Sequence, residues 1–236
     1  MSLDETSITK GELYTILTNK DAKGKKGAIV AMIEGTESEN VISVLKKIPY
    51  KEREKVKEIT LDMAGSMNKI AKSCFGKAIK VIDRFHIQKL AYDAIQEIRI
   101  AHRWDAINEE TNLIQQAREN NESYTTKFYS NGDTLKQLLA RSRYLLFKSQ
   151  KRRAKILFEL YPDIKTTYEL IHKLRLIFSK TTSKGVAYTK LAKWYNEVTD
   201  ADFKSFNTIS ATINTHYVGI LNFFERRSTE CVGRII

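Results

Sequence analysis

The sequence predicts an α/β protein in which a mixed sheet lies within residues 1–83 and a large all-helical block follows. Three observations predict it. Short apolar, β-branched runs bounded by turn residues recur through the first 83 residues. Two of those runs close on an aspartate and give way to helical periodicity, the alternation expected of strands packed against helices. Beyond Arg84 the apolar residues recur at spacings of three and four, and only Pro49 and Pro162 could break a helix anywhere in the chain.

In order along the chain, Met1, Ser2 and Leu3 lead into Asp4 and Glu5 as the end of a first strand, which would need several more apolar residues ahead of Leu3 to be whole. After Gly11 the run ELYTILTN favours a second strand through Leu13, Tyr14, Ile16 and Leu17. Asp21 to Gly27 supply turn chemistry before the run AIVAMI, so the two runs form a hairpin. From Glu37, the residues Val41, Ile42, Val44, Leu45 and Ile48 make one helical face, and Pro49 is expected to end that helix. KEITLDMAGSM then carries a strand through Ile59, Thr60 and Leu61 to Asp62, with a helix after Ala64 through Met67, Ile70, Ala71 and Phe75. After Gly76 the run AIKVID ends in Asp83. His86 to Arg103 keeps Ile87, Leu90, Ala91, Ala94, Ile95 and Ile98 on one stripe. Ile164, Tyr168, Ile171, Leu174 and Phe178 form a later face, and Lys190, Leu191, Trp194 and Tyr195 begin another. Turns are expected at Asn131, Gly132 and Ser183 to Gly185.

Composition narrows the partners. The 236 residues are 42% hydrophobic, enough to bury a full core, and carry 40 Lys+Arg against 28 Asp+Glu for a net charge of +12. Such an excess suits a polyanion, since each neutralised phosphate releases condensed counterions; a solvated basic surface is the plain alternative. Cys74 and Cys231 are far apart and lack the paired spacing of a disulfide framework or zinc ribbon. No run has the roughly 20 apolar residues of a membrane span, and the first residues lack a signal-peptide layout, so a cytoplasmic protein is expected.

Asp4 and Asp62 each follow an apolar segment and are expected at strand ends. Taken alone, Asp62 reads as a helix cap or turn residue. If the first and fourth strands are neighbours, the two carboxylates converge and could share hard divalent cations, which prefer oxygen ligands.

The segments LDETSITKGELYTIL, ITLDMAGSM, VIDRFHIQKL and ILNFFERRST, in that order, with RWDAI after the third, resemble the core motifs of the DDE transposases of bacterial insertion sequences, in the ISL3 group. The resemblance covers essentially the whole chain. It implies a ribonuclease-H-like, retroviral-integrase-like fold interrupted by a helical insertion: a catalytic core at 1–83 with an incomplete first strand, an insertion at 84–225, and an aberrant tail at 226–236. It implies catalytic and metal-binding roles for Asp4 and Asp62, two Mg2+ ions replaceable by Mn2+, and DNA strand cleavage and transfer. Transposon ends and target DNA would be the partners, with room for a homo-oligomer, in the bacterial cytoplasm at the nucleoid. The family's catalytic glutamate should follow the ILN motif. Here the sequence departs after Thr229, and Arg234 stands at the glutamate's position. The resemblance therefore implies a triad lacking its third acid and little strand-transfer activity, in a chain expected to be shortened at both ends. Glu225 and Glu230 are nearby, but on a helix they would face away from the expected site.

Asp83 and His86, in DRFH, either cap the next helix while Phe85 packs or orient a ligand beside the site. Arg141, Arg143, Lys148, Lys151, Arg152, Arg153 and Lys155, with Tyr144 and Phe147 interleaved, either contact DNA phosphates or form a solvated helix face. Arg84, Arg99 and Arg103 could extend that surface. His102, His172 and His216 have no ligand spacing and are expected to be surface or packed residues. The rival to the transposase reading is a non-catalytic basic protein that binds DNA or RNA.

Overall fold

The computed structural model describes residues 1–7, 11–129, 132–141 and 151–226. Five strands form one mixed sheet: β1 (Ser2–Ser7), β2 (Leu13–Thr18), β3 (Ile29–Glu34), β4 (Glu58–Leu61) and β5 (Ile79–Ile82). Their spatial order is β3-β2-β1-β4-β5. The first three pair antiparallel as a meander, and β1–β4 and β4–β5 pair parallel. The hairpin turn between β2 and β3 uses left-handed backbone at Lys23, Gly24 and Gly27, which the glycines adopt without a Cβ penalty.

Burial explains the strand order. Ile59, Thr60 and Leu61 are all buried, as are Val81 and Ile82, the pattern of strands covered on both faces. Edge strand β3 instead leaves Ile29, Val30 and Met32 exposed.

Among the described residues, ten α-helices accompany the sheet. α1 (Ser38–Leu45) buries Val41 and Leu45. It stops at Leu45 rather than running to Pro49, because proline disfavours helical backbone in the residue before it. Pro49 becomes the N-cap of the short α2 (Tyr50–Arg53). Arg53 ties this corner together, donating to the carbonyls of Ile48 at 3.0 Å and Cys74 at 2.8 Å. α3 (Gly65–Cys74) buries Met67, Ile70, Ala71 and Cys74, a stripe at helical spacing. The helical block comprises α4 (Arg84–Glu119), α5 (Leu135–Arg141), α6 (Lys151–Leu160), α7 (Pro162–Lys180), α8 (Lys184–Ala201), α9 (Lys204–Thr215) and α10 (Tyr217–Arg226). The turn expected at Ser183 to Gly185 is shorter, since Lys184 and Gly185 already belong to α8. Asn131 lies outside the described residues, and Gly132 has the positive φ of a turn glycine.

The chain packs as two compact units. One contains Met1–Lys89, Leu176–Lys193 and, among the described residues, 209–226; the other contains 90–175 and 194–208. In the first, Phe178 stacks on Phe224 at 5.3 Å and meets Phe223 edge-on at 5.7 Å. In the second, the buried Trp194 indole donates to the Leu170 carbonyl at 2.9 Å. There His102 Nε2 lies 2.5 Å from Asp163 Oδ2. Arg99 is also buried and donates to the Leu139 carbonyl and Gln96, so it adds nothing to a basic surface. Among the described residues no helix is long and apolar enough to cross a membrane.

Helix α10 lies close to β5 because position 219 is glycine. A Cβ there would meet Ile82 Cγ1 at 2.9 Å, inside van der Waals contact. Replacing Gly219 by alanine gains up to about 1 kcal/mol of helix propensity but costs about 1–3 kcal/mol in overpacking. Gly219→Ala is expected to lower the denaturation midpoint, with a net loss of about 1 kcal/mol read from urea unfolding.

Candidate active site at the strand ends

The register of three neighbouring strands fixes the site. Ser2 pairs with Thr60 and Leu61 pairs with Ile82, so two steps past Ser2 and one past Leu61 and Ile82 place Asp4, Asp62 and Asp83 in one row. Adjacent strands lie about 4.8 Å apart, so the backbones of the three positions are about a strand's width from one another. The ladder continues one step beyond β5, where the Asp83 amide donates to the Leu61 carbonyl at 3.0 Å.

Asp62 and Asp83 share one local device. Asp62 Oδ1 accepts from the Ala64 amide at 2.8 Å, and Asp83 Oδ1 accepts from the Phe85 amide at 2.9 Å. Each turns the chain from strand to helix and spends one carboxylate oxygen in doing so. Ala64, not Asp62, is the N-cap of α3, which makes Asp62 a turn residue rather than a cap. Phe85 does not pack into the core: it is 56% exposed, while the apolar positions of α4 that are buried begin at Ile87.

Asp4 Oδ1 accepts from the Glu5 amide at 2.9 Å, and His86 Nε2 lies 4.0 Å from it. Burial pushes the Asp4 carboxyl above its ordinary range; the Glu5 amide and His86 oppose that, and the charges of Asp62 and Asp83 add to it. Glu5 is also pushed up, first by burial and then by Asp62 and Asp4. Nothing in the sequence marks Glu5 as part of the site although it follows Asp4 directly, and Asp83 reads there as an accessory because sheet order is needed to bring it beside Asp62.

No group of three or more His, Cys, Asp or Glu is arranged to hold a metal ion among the described residues. The donors at Asp4 and Asp62 nonetheless have the chemistry of a hard-cation site. Both carry carboxylate oxygens, the donor type a hard divalent cation takes, but only Asp62 follows the end of its strand: Asp4, expected at a strand end, lies inside β1, which runs on to Ser7 because Glu5, Thr6 and Ser7 continue the pairing with β2.

The remaining site residues of the sequence lie elsewhere. Arg152 and Lys155 are exposed on α6, while Arg153 Nε lies 3.7 Å from the buried Asp133. Arg141 and Lys151 sit at helix ends with backbone alone described, and Arg143, Lys148, Tyr144 and Phe147 fall outside the described residues. Arg84 lies over the Phe223 ring, 6.0 Å from its centroid. Glu225 Oε1 pairs with Lys184 Nζ at 3.0 Å, whereas Glu230 and Arg234 are outside the described residues.

Fold and site together define an α/β protein with three aspartates, Asp4, Asp62 and Asp83, in one row across neighbouring parallel strands. The family model described as a transposase, for the ISL3 group of DDE transposases, matches residues 1–232, and the chain belongs to that family. No curated protein and no solved structure matches it. Membership gives the general function, DNA recombination by transposition, and implies a DNA partner; such transposases use divalent metal ions.

Because Asp4 is raised in the folded protein, its neutral form favours folding; that contribution is present in acid and is lost as pH rises through the folded-state value. Asp4→Asn is therefore expected to melt at a higher temperature than the wild type near neutral pH in EDTA, with the gap closing as the buffer is made more acidic. Equal melting temperatures at neutral pH would contradict it.

Proposed function

We propose that this chain is a transposase catalytic polypeptide with a ribonuclease-H-like core, built for phosphodiester hydrolysis and strand transfer but lacking the third acid that completes the chemistry. The observation that carries the reading is the parallel register of β1 and β4, which puts Asp4, inside β1, level with Asp62, just past β4. Asp4 and Asp62 are the residues that would hold Mg2+, or Mn2+ in its place, with two ions in the complete family site. When bound, such ions stabilise charge on the attacking and leaving oxygens of a phosphodiester.

The chain's own residues position that pair. Asp62 holds the Ala64 amide and so fixes the turn from which its second oxygen projects. Asp83 fixes the start of α4 through Phe85, which sets His86 near Asp4, where the imidazole can orient the carboxylate. In the sequence Arg234 stands where the motif expects the glutamate, so the set of acidic ligands is one short. Glu225, engaged by Lys184, is a poor replacement. The helical stretch 84–225 falls between the second acid and the position of the third, as an insertion would, and the exposed Arg152 and Lys155 contact DNA phosphates without reading bases. A protein acting on an element's DNA works in the bacterial cytoplasm at the nucleoid. The net charge of +12 favours one second reading, a basic protein that binds nucleic acid without cutting it.

Titration calorimetry with Mn2+ is expected to give binding heat that disappears in Asp4→Asn and in Asp62→Asn. Supercoiled plasmid carrying matched transposon ends should show no strand transfer; Asp62-dependent nicking in Mn2+ would overturn the assignment of an incomplete site. DNA retention without metal, together with no Mn2+ heat, would favour the non-cutting protein.

Charge reversal at Arg152 and Lys155 is expected to weaken DNA retention and lower the salt slope by about one for each phosphate that is no longer neutralised. An unchanged slope would remove α6 from the DNA-binding surface.

A further inference from the structure

A cavity of about 260 Å³ opens in the first unit, where α3, β5 and the start of α10 meet. Its polar lining is Asn68, Lys80, Thr215, His216 and Asn222, and no acidic residue borders it. Two of these side chains are committed to the fold. Thr215 Oγ1 donates to the Ala211 carbonyl, and the Asn222 amide donates to the Lys80 carbonyl while its oxygen accepts from Lys184. The donors left to the cavity are the Lys80 ammonium, the Asn68 amide nitrogen and the His216 ring.

Lys55, Lys69, Lys77 and Lys184 each meet a carboxylate: Glu52, Glu39, Glu54 and Glu225. Lys80 meets only the neutral Asn68 oxygen, at 2.5 Å, and has no carboxylate partner among the described residues. Burial first, and then the charge of Lys72, push its ammonium below the ordinary lysine range. A lysine in a concave site beside a second cation and among neutral donors favours the approach of an anion.

The rim adds a second chemistry. Val218, 72% exposed, borders the cavity, and the next residue back, Tyr217, meets Tyr188 edge-on at 5.6 Å. Tyr188 and Val186 are themselves exposed. The exposed apolar Val218 on the same lining as the Lys80 ammonium suits a nucleic acid strand, in which a charged phosphate and an apolar sugar and base face alternate.

We infer that this cavity holds a backbone phosphodiester of DNA on Lys80, Asn68 and His216, with the adjoining nucleotide against Val218 on its lining. The site belongs to the first unit, whereas the basic segment of α6 belongs to the second. The choice of DNA as the anion rests on family membership and does not depend on metal at Asp4 and Asp62.

The test is fluorescence anisotropy of a labelled single-stranded DNA oligonucleotide with the full chain, in EDTA, over a range of salt concentrations. Lys80→Gln is expected to bind about five- to tenfold more weakly with a salt slope lower by about one, while Lys55→Gln, on an exposed lysine outside the cavity lining, behaves as wild type. Val218→Glu changes a side chain that is mostly in solvent and should also weaken binding, so it decides the matter should circular dichroism show Lys80→Gln unfolded. Wild-type affinity in either folded variant overturns the inference. Because metal is absent throughout, a failure of the carboxylate site, read by Mn2+ calorimetry, cannot be mistaken for a failure of this one.

Discussion

The parallel pairing of β1 with β4, and of β4 with β5, is the constraint on which the site depends. A slip of one residue in any of these pairs would move an aspartate out of the row and turn its neighbours to the opposite face. Four successive pairs hold β4 to β5, whereas β1 meets β4 through a much shorter stretch, at Ser2 and Thr60. What holds that short stretch in register is burial. Leu3, Ile59 and Leu61 are almost wholly excluded from water, and moving such side chains into solvent costs about 1.5–3 kcal/mol each. Lys20 adds a hydrogen bond to the buried Thr60 hydroxyl at 2.5 Å. The hydrophobic core thus sets the register that brings the aspartates level with one another.

Much of this could be read in the chain. The hairpin, the two strand ends at Asp62 and Asp83 and the helical character beyond Arg84 follow from periodicity and turn chemistry, which are local. The spatial order of the strands is not local: β1 lies between β2 and β4, and nothing in the run around Leu3 states who its neighbours are. For that reason Asp83 reads as a helix cap until sheet order puts it in line with Asp62. Arg99 and Phe85 mislead for the same reason in opposite directions. A charged residue on an amphipathic stripe is drawn inside by the Leu139 carbonyl, and an aromatic at a helix start is left outside because the buried positions of α4 begin two residues later. Pro49 is a further case, since a proline that stops one helix also starts the next.

Helix α10 shows how a sequence signature can be architectural. Of ILNFFER, Ile220, Leu221, Phe223 and Phe224 are buried, and Asn222 bridges the Lys80 carbonyl and the Lys184 ammonium. Glu225 closes onto the same lysine. These residues hold the helix to β5 and to the start of α8, and they do so whatever stands at position 234. The ILNFFER segment, a signature in the sequence, is a support in the structure.

The two borders of the sheet are protected unequally. At β5 the Asn222 amide takes the Lys80 carbonyl, so one acceptor that another strand would use is already filled, and α10 lies alongside. At β3 the terminal strand carries Ile29, Val30 and Met32 in solvent with no strand beyond it among the described residues. Self-association by strand addition is open at β3 and obstructed at β5, so any aggregate grown from the native sheet would be joined edge to edge through β3, and a lysine or proline in that strand would keep the protein in solution while leaving the carboxylate row untouched.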